Sequence, residues 1–282
     1  MGLSAILAVG GAADKVNKRD ILERFVLEAG GRKARIAILP TASVIPAQRA
    51  AFYRRVFAEM GAAESFRVPI VTRADADSAD HARDIFGATG VFLTAGDPSR
   101  LVRVLSGTRS FDAIHRRLRE KGVLAGTSAV ASAFSTTMIV GGSAGMPVRR
   151  DGARLGTGLG LIDRLIIDRP LSPRERLGRL LAAVALEPAR LGVGIDEGAA
   201  IVYYGNGGLE VIGRGQVFVV DGSPARSRMC GADPGPLSLA GVVLHVLNPG
   251  DRFDVPGRRV KLAPGAAMSS PGPAASRPRP RP

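Results

Sequence analysis

Gly122-Val123-Leu124-Ala125-Gly126-Thr127-Ser128 is an apolar run that closes on small residues and a hydroxyl, and Ala129-Val130-Ala131-Ser132 follows without a break. The run reads as a strand buried on both faces, which is what a parallel strand covered by helices looks like. A helix starting directly after Ser128 compresses the turn and exposes the serine hydroxyl. That helix start also aims free backbone N–H groups and the positive end of a dipole at whatever bonds to the hydroxyl, the arrangement an oxyanion needs. Ser128 thus occupies the place expected of a serine nucleophile. It also has the plainer reading of a helix cap, and spacing does not separate the two. The elbow pattern G-x-S-x-G is incomplete, because Val130 stands where its last glycine would be.

Moving toward the amino terminus, the same texture recurs in SAILAVG (4–10), ARIAILP (34–40), SFRVPIV (65–71) and GVFLTAG (90–96). Amphipathic stretches lie between them. In AQRAAFYRRVFAEM (47–60), Ala51, Phe52, Val56 and Met60 fall near helical spacing, and Gly61 is a stop signal. Asp97-Pro98-Ser99 opens another helix, with proline at a tolerated first-turn position. Alternating β and α over about 130 residues predict a doubly wound α/β sheet. Ligands in such sheets bind beyond the carboxyl ends of the strands. Four loops therefore qualify as site material: Gly10-Gly11-Ala12-Ala13-Asp14, Pro40-Thr41-Ala42-Ser43, Thr94-Ala95-Gly96-Asp97 and Gly126-Thr127-Ser128-Ala129.

After residue 190 the strands come close together: GVGID (192–196), AAIVYY (199–204), LEVIG (209–213), QVFVVDG (216–222) and VVLHVL (242–247). Turns such as Gly205-Asn206-Gly207-Gly208 join strands as hairpins, giving an antiparallel extension of the sheet or a small second layer. A single domain over residues 1–263 is expected. From Pro264 the chain runs into Ser276-Arg-Pro-Arg-Pro-Arg-Pro282, where alternating proline blocks helix and ladder alike, so 264–282 reads as a disordered tail.

Composition narrows the function. With 36 glycines, no Trp and few other aromatics, the chain suits tight turns and small-residue strands. The single cysteine, Cys230, excludes an internal disulfide and fits a reducing compartment, so the cytoplasm is the expected location. The first apolar run is only about seven residues and lacks a basic leader, hence a buried strand, and no membrane span is expected. The net charge of +14 is carried mostly by arginines scattered along helices, without a nucleic-acid-binding motif, so a solvated surface rather than a nucleic-acid partner is expected. Gly10-Gly11 lacks the dinucleotide fingerprint, so no cofactor is expected. The three histidines, His81, His115 and His245, form no cluster, so no metal site is expected either.

Taken together, GGAADK, ILPTAS, FLTAGDPSRL, LAGTSAVASAFS, GLGLIDRLIIDRPLSPRERLGRLLAAV, GVGIDEGAAIV, VIGRGQVFVVDG and LHVLNPGDRFDV resemble the cyanophycinase family over about residues 4–255. These are serine peptidases that cleave the β-aspartyl-arginine polymer cyanophycin. The resemblance implies a flavodoxin-like, mostly parallel sheet flanked by helices, with Ser128 as nucleophile and the N–H groups of Ala129 and Gly96 as oxyanion donors. It matches Glu197 to the carboxylate that orients the catalytic histidine. Asp168, Arg169, Arg174, Arg176, Arg179 and Pro98 fall at substrate-pocket positions. Arginine forks there suit a polymer that presents carboxylates. Family members form dimers, which implies a homodimer, or a heterodimer with an active paralogue.

The departures from the family are concentrated at the pocket. Where the family has its histidine after Asp-Gln, this chain reads Asp168-Arg169-Pro170-Leu171, so Pro170 takes the histidine position. Proline neither accepts nor transfers a proton. Ala95 replaces a glycine, Pro98 and Arg169 replace glutamines, and Val130 replaces the elbow glycine. The expectation is a cyanophycinase-like protein that is catalytically impaired or serves as a non-catalytic subunit. The alternative is an active exopeptidase with a substitute base, supplied by His115 or by a partner subunit.

Overall fold

Aliphatic side chains project from both faces of four of the first five apolar runs, and helices cover both faces. The run at 65–71 differs, because its strand is the edge segment Glu64–Arg67 with both ends exposed, and its buried aliphatics Val68 and Ile70 lie beyond the strand. The computed structural model describes residues 4–11, 19–142, 147–168, 177–229 and 234–265. In it β1 (Ala5–Val9), β2 (Arg35–Leu39), β3 (Glu64–Arg67), β4 (Gly90–Leu93) and β5 (Val123–Thr127) lie parallel in the order β3-β2-β4-β5-β1. On one face α1 (Asp20–Glu28) and α2 (Pro46–Glu59) bring Phe25, Tyr53 and Phe57 onto Phe92 of β4, with ring centroids 5.6, 4.5 and 5.2 Å away. On the other, α3 (Arg73–Ala76), α4 (Ala79–Gly87), α5 (Pro98–Leu105) and α6 (Arg109–Arg119) bury Ile85, Leu101, Leu105 and Ile114.

The buried face of α2 differs from the expected one: Ala50, Tyr53, Val56 and Phe57 are inside, while Phe52 and Met60 pack only at the margin. The aromatic cluster around Phe92 turns the helix, and Tyr53 counts as apolar within it. The segment after Ser128 also differs. It is a short 3₁₀ helix, Ser128–Phe134, which leads through Ser135 to β6 (Thr137–Gly141). The tighter winding returns Phe134 beneath the elbow it has just left.

Beyond this point the expected extension and the expected second layer both exist. β6 pairs with β7 (Arg154–Thr157). Next come β8 (Leu165–Asp168), α7 (Leu177–Leu186), β9 (Leu191–Ile195), β10 (Ala199–Tyr204), β11 (Gly208–Gly213) and β12 (Val217–Asp221). A separate ribbon, β13 (Arg226–Met229) with β14 (Leu237–Ala240), precedes β15 (Val243–Leu247), β16 (Arg252–Asp254) and β17 (Arg259–Lys261). β10, β11, β16 and β17 extend the first sheet antiparallel from β1. β8, β9, β12 and β15 make a second sheet in which β8 and β9 are parallel. β9 and β10 are therefore not a hairpin: the chain changes sheets at Asp196-Glu197-Gly198. The second sheet packs Val193, Val217 and Val219 against the first, and Ile166 and Val220 against α7. Apart from Pro264 and Gly265, the tail 264–282 lies outside the described residues.

Gly126 is where strand and elbow meet most closely. A Cβ there would stand 2.4 Å from Cζ of the fully buried Phe134. Gly126→Ala is expected to lower the unfolding free energy by about 2 kcal/mol, the cost of overpacking a filled core. Phe134→Leu in the same chain should recover about half of that loss, read as coupling in a urea-unfolding double-mutant cycle. Additive losses would mean that the two groups do not compete for one space.

Candidate active site

Ser128 has φ +61°, one of three positive values among the described non-glycine residues. A side chain in the left-handed region is strained, and such strain persists only where the surroundings impose it. Here the strand before and the 3₁₀ helix after impose it, so the local chain has the form of a nucleophile elbow. Ala129, half-buried, follows. The Ser132 hydroxyl donates to the Ala129 carbonyl at 2.8 Å and fixes the turn that carries the expected oxyanion N–H. Val130, in place of the elbow glycine, is fully buried.

The neighbouring loops meet at the same end of the sheet. β2 leads outward to β3 while β4 leads inward to β5, so the crevice between the ends of β2 and β4 is the switch point where ligands bind in such sheets. Gly96 packs there against the loop after β2. A Cβ on it would fall 2.0 Å from the Ala42 carbonyl oxygen, and Asp97 N–H donates to that same oxygen at 3.0 Å. Asp97 caps α5 by accepting from Ser99 N–H at 2.8 Å, with Pro98 in the first turn, and α5 packs on the elbow's 3₁₀ helix. The hydroxyls of Thr41 and Thr94, both buried in these two loops, have no hydrogen-bond partner among the described residues. Both loops were expected site material, but nothing in the sequence distinguishes these two threonines from other loop hydroxyls.

Across β1, the turn Asp196-Glu197-Gly198 closes on Gly10-Gly11. A Cβ on Gly10 would meet the Asp196 carbonyl oxygen at 2.1 Å, and Gly198 N–H donates to the Gly11 carbonyl at 3.1 Å. Because β5, β1 and β10 are neighbours, Ser128 and this turn flank one strand, about 10 Å apart by strand spacing. Glu197 is exposed at that turn. Burial holds the half-buried Asp196 carboxyl above its ordinary range. The Glu197 charge adds to this and outweighs, together with burial, a hydrogen bond to the Glu197 backbone. Asp196 adjoins Glu197 in GIDEG, the only sequence signal that pointed to it.

Asp168, at the end of β8, is buried and accepts from Arg179 Nε at 2.9 Å and from Arg179 Nη2. The fork of Arg179 is thus closed on the protein's own carboxylate rather than presented outward. Arg169, Pro170, Arg174 and Arg176 lie outside the described residues, as do Ala12, Ala13, Asp14 and Cys230.

Each of the three histidines is placed away from the elbow. His115 lines a pocket of about 290 Å³ with Ser4, Ile6, Tyr203 and Gly205, at the opposite end of β1 from Ser128. The length of β1 alone separates the two, roughly 13 Å. Burial, then the charge of Arg119, depress the His115 imidazole below its ordinary range, against a smaller opposing effect of Asp112. His81 lies on α4, which packs on α6, α3 and β2 rather than on the elbow's 3₁₀ helix, and its Nδ1 is 2.8 Å from the Asp75 carbonyl. His245, on the edge strand β15, packs on Phe253 with centroids 5.3 Å apart, and β16 lies four strand spacings from β5. His115, one of the two substitute bases that the alternative reading offered, therefore lies too far from Ser128 to take its proton.

Residues 5–211 match peptidase family S51. A cyanophycinase of Trichormus variabilis is 41% identical over 261 residues, covering 91% of this chain and 87% of that protein. A cyanophycinase of Geminocystis herdmanii is 38% identical over 254 residues, covering 89% and 93%. In three dimensions the chain is similar to the crystal structure of a peptidase from an acI-B1 actinobacterium, with TM-score 0.62, 22% identity, and 89% and 97% of the two chains covered. That likeness bears on the fold.

The strain at Ser128 can be measured without any substrate. Ser128→Gly and Ser128→Ala lose the same hydroxyl, but only alanine keeps a Cβ in the left-handed region. The glycine variant is expected to be more stable by about 1 kcal/mol in urea unfolding. Equal stability would mean that the elbow relaxes.

Proposed function

The chain belongs to peptidase family S51, and from that membership we propose that it binds cyanophycin or a related β-aspartyl-arginine peptide at the Ser128 end with impaired hydrolytic machinery. The observation that carries this is the separation of Ser128 from every imidazole of the chain, with the elbow itself retained. A serine hydroxyl attacks an amide rapidly only when a base takes its proton, and Glu197 has no histidine to orient. Pro170, at the position where the family resemblance places the histidine, supports the same reading from sequence.

Binding does not require the base. Arg169, Arg174 and Arg176 supply guanidinium groups that suit the polymer's carboxylates. Arg179 contributes by fixing Asp168. Oxyanion donors and binding groups retain catalysis on the order of 10³-fold over water when a triad is broken, so a trace of hydrolysis belongs to the proposal. Such a chain can act as a polymer-binding subunit beside a histidine-bearing relative.

Incubated with insoluble cyanophycin, the purified chain is expected to bind and to release little or no soluble dipeptide. Pro170→His combined with Arg169→Gln should raise Ser128-dependent release by about 10²- to 10⁴-fold, the usual contribution of a positioned base. Rapid release by the unaltered chain, abolished by Ser128→Ala, would overturn the impaired reading.

A further inference from the structure

At the strand ends opposite Ser128, α1 packs on β1 and β11 and shares a buried cluster with Ala200 and Val202 of β10, while Arg252, Arg259 and Lys261 of β16 and β17 are exposed. The register sets out the side chains there. Asp254 stands opposite Gly208 and Arg259, and Arg252 stands opposite Glu210 and Lys261. Because Gly208 carries no side chain, the row holding Asp254 is hollow at its inner end. The result is a trough of about 650 Å³ lined by Tyr204, Glu210, Arg252, Asp254, Arg259 and Lys261. That volume lies in the usual range of a ligand site.

The charges in the trough are unequally satisfied. Glu210 already accepts from Arg24 Nη2 at 3.2 Å and from the Tyr204 hydroxyl at 2.9 Å. Arg252, 63% exposed, is left 3.6 Å from a Glu210 oxygen. Arg259, 80% exposed, stands 3.5 Å from Asp254. Lys261 makes no ion pair with any described residue. Three cations and one loosely held carboxylate therefore face one depression, and exposed pairs at such separations are easily exchanged for a ligand's groups.

We propose that this trough is a second binding site for a polypeptide whose repeating units each carry a carboxylate and a guanidinium, distinct from the Ser128 end. Ligand carboxylates meet Arg252, Arg259 and Lys261, and a ligand guanidinium meets Asp254. A nucleic acid or polyphosphate matches the three cations but is repelled by Asp254. The choice of polymer rests on the proposed function. A chain held at two separated sites stays near each by effective concentration, so weak contacts at the trough suffice to keep the protein on an insoluble polymer.

The full chain is mixed with cyanophycin granules at physiological salt, which screens the general attraction of a basic surface. Retention of Arg252→Gln/Arg259→Gln/Lys261→Gln is compared with wild type, with thermal unfolding confirming that the variant folds. The variant is expected to be retained at least about tenfold more weakly. Its affinity for the isolated β-aspartyl-arginine dipeptide, measured by calorimetry, should be unchanged. Equal retention of wild type and variant overturns the second site and leaves the proposed function standing. Failure of wild type to bind both granules and dipeptide overturns both. Tighter retention of duplex DNA than of granules, or a halved solution mass for the variant, overturns the site in favour of a nucleic acid or a second copy of the chain.

Discussion

The ring of Phe134 lies where a side chain at Gly126 would be, and the geometry of the catalytic-type end depends on that contact. With a glycine in β5 the chain can double back within seven residues and pack its own aromatic beneath the strand it left. The return requires a tight reversal at Ser128, and the cost is visible as a left-handed φ on a residue with a Cβ. Buried contacts of the 3₁₀ helix with β1, β5, β8 and α5 hold the reversal in place. The hydroxyl is therefore presented by the packing of the core and not by a flexible loop.

Around this elbow the fold brings together groups that lie far apart in sequence, and it does so by close backbone approach. Gly96 against Ala42 ties the two switch-point loops together, and Gly10 against Asp196 ties the first strand to the turn where the chain changes sheets. Carboxylates collect at this end: Asp168 closed on Arg179, Asp196 pushed up by burial, and Glu197 exposed beside it. Histidines do not. The backbone of a family S51 peptidase thus carries here a serine and acids without an imidazole in reach.

Much of this was legible in the sequence because its signals are local. Runs such as IAIL (36–39) and GVFL (90–93) are apolar at every position, which a strand covered on both sides tolerates, and the reversal at Ser128 followed from a strand ending in small residues. Non-local facts were not legible. GVGID and AAIVYY, separated by Glu197 and Gly198, look like a hairpin, yet they belong to different sheets: β9 lies between β8 and β12, and β10 between β1 and β11. The pairing of Arg179 with Asp168 joins a helix to a strand end, and nothing in RERLGR distinguishes an inward fork from a solvent-facing one. The buried face of α2 depended on Phe92, a residue of another strand.

In the proposed function Ser128 keeps its elbow and lacks a proton acceptor, so its hydroxyl is not activated at neutral pH. An alkyl fluorophosphonate, which phosphonylates a serine rapidly only when a base removes its proton, is the direct probe. Intact-protein mass spectrometry is expected to show essentially no adduct on Ser128 in the unaltered chain at neutral pH. Rapid stoichiometric labelling, mapped to Ser128 and lost in Ser128→Ala, would contradict the account.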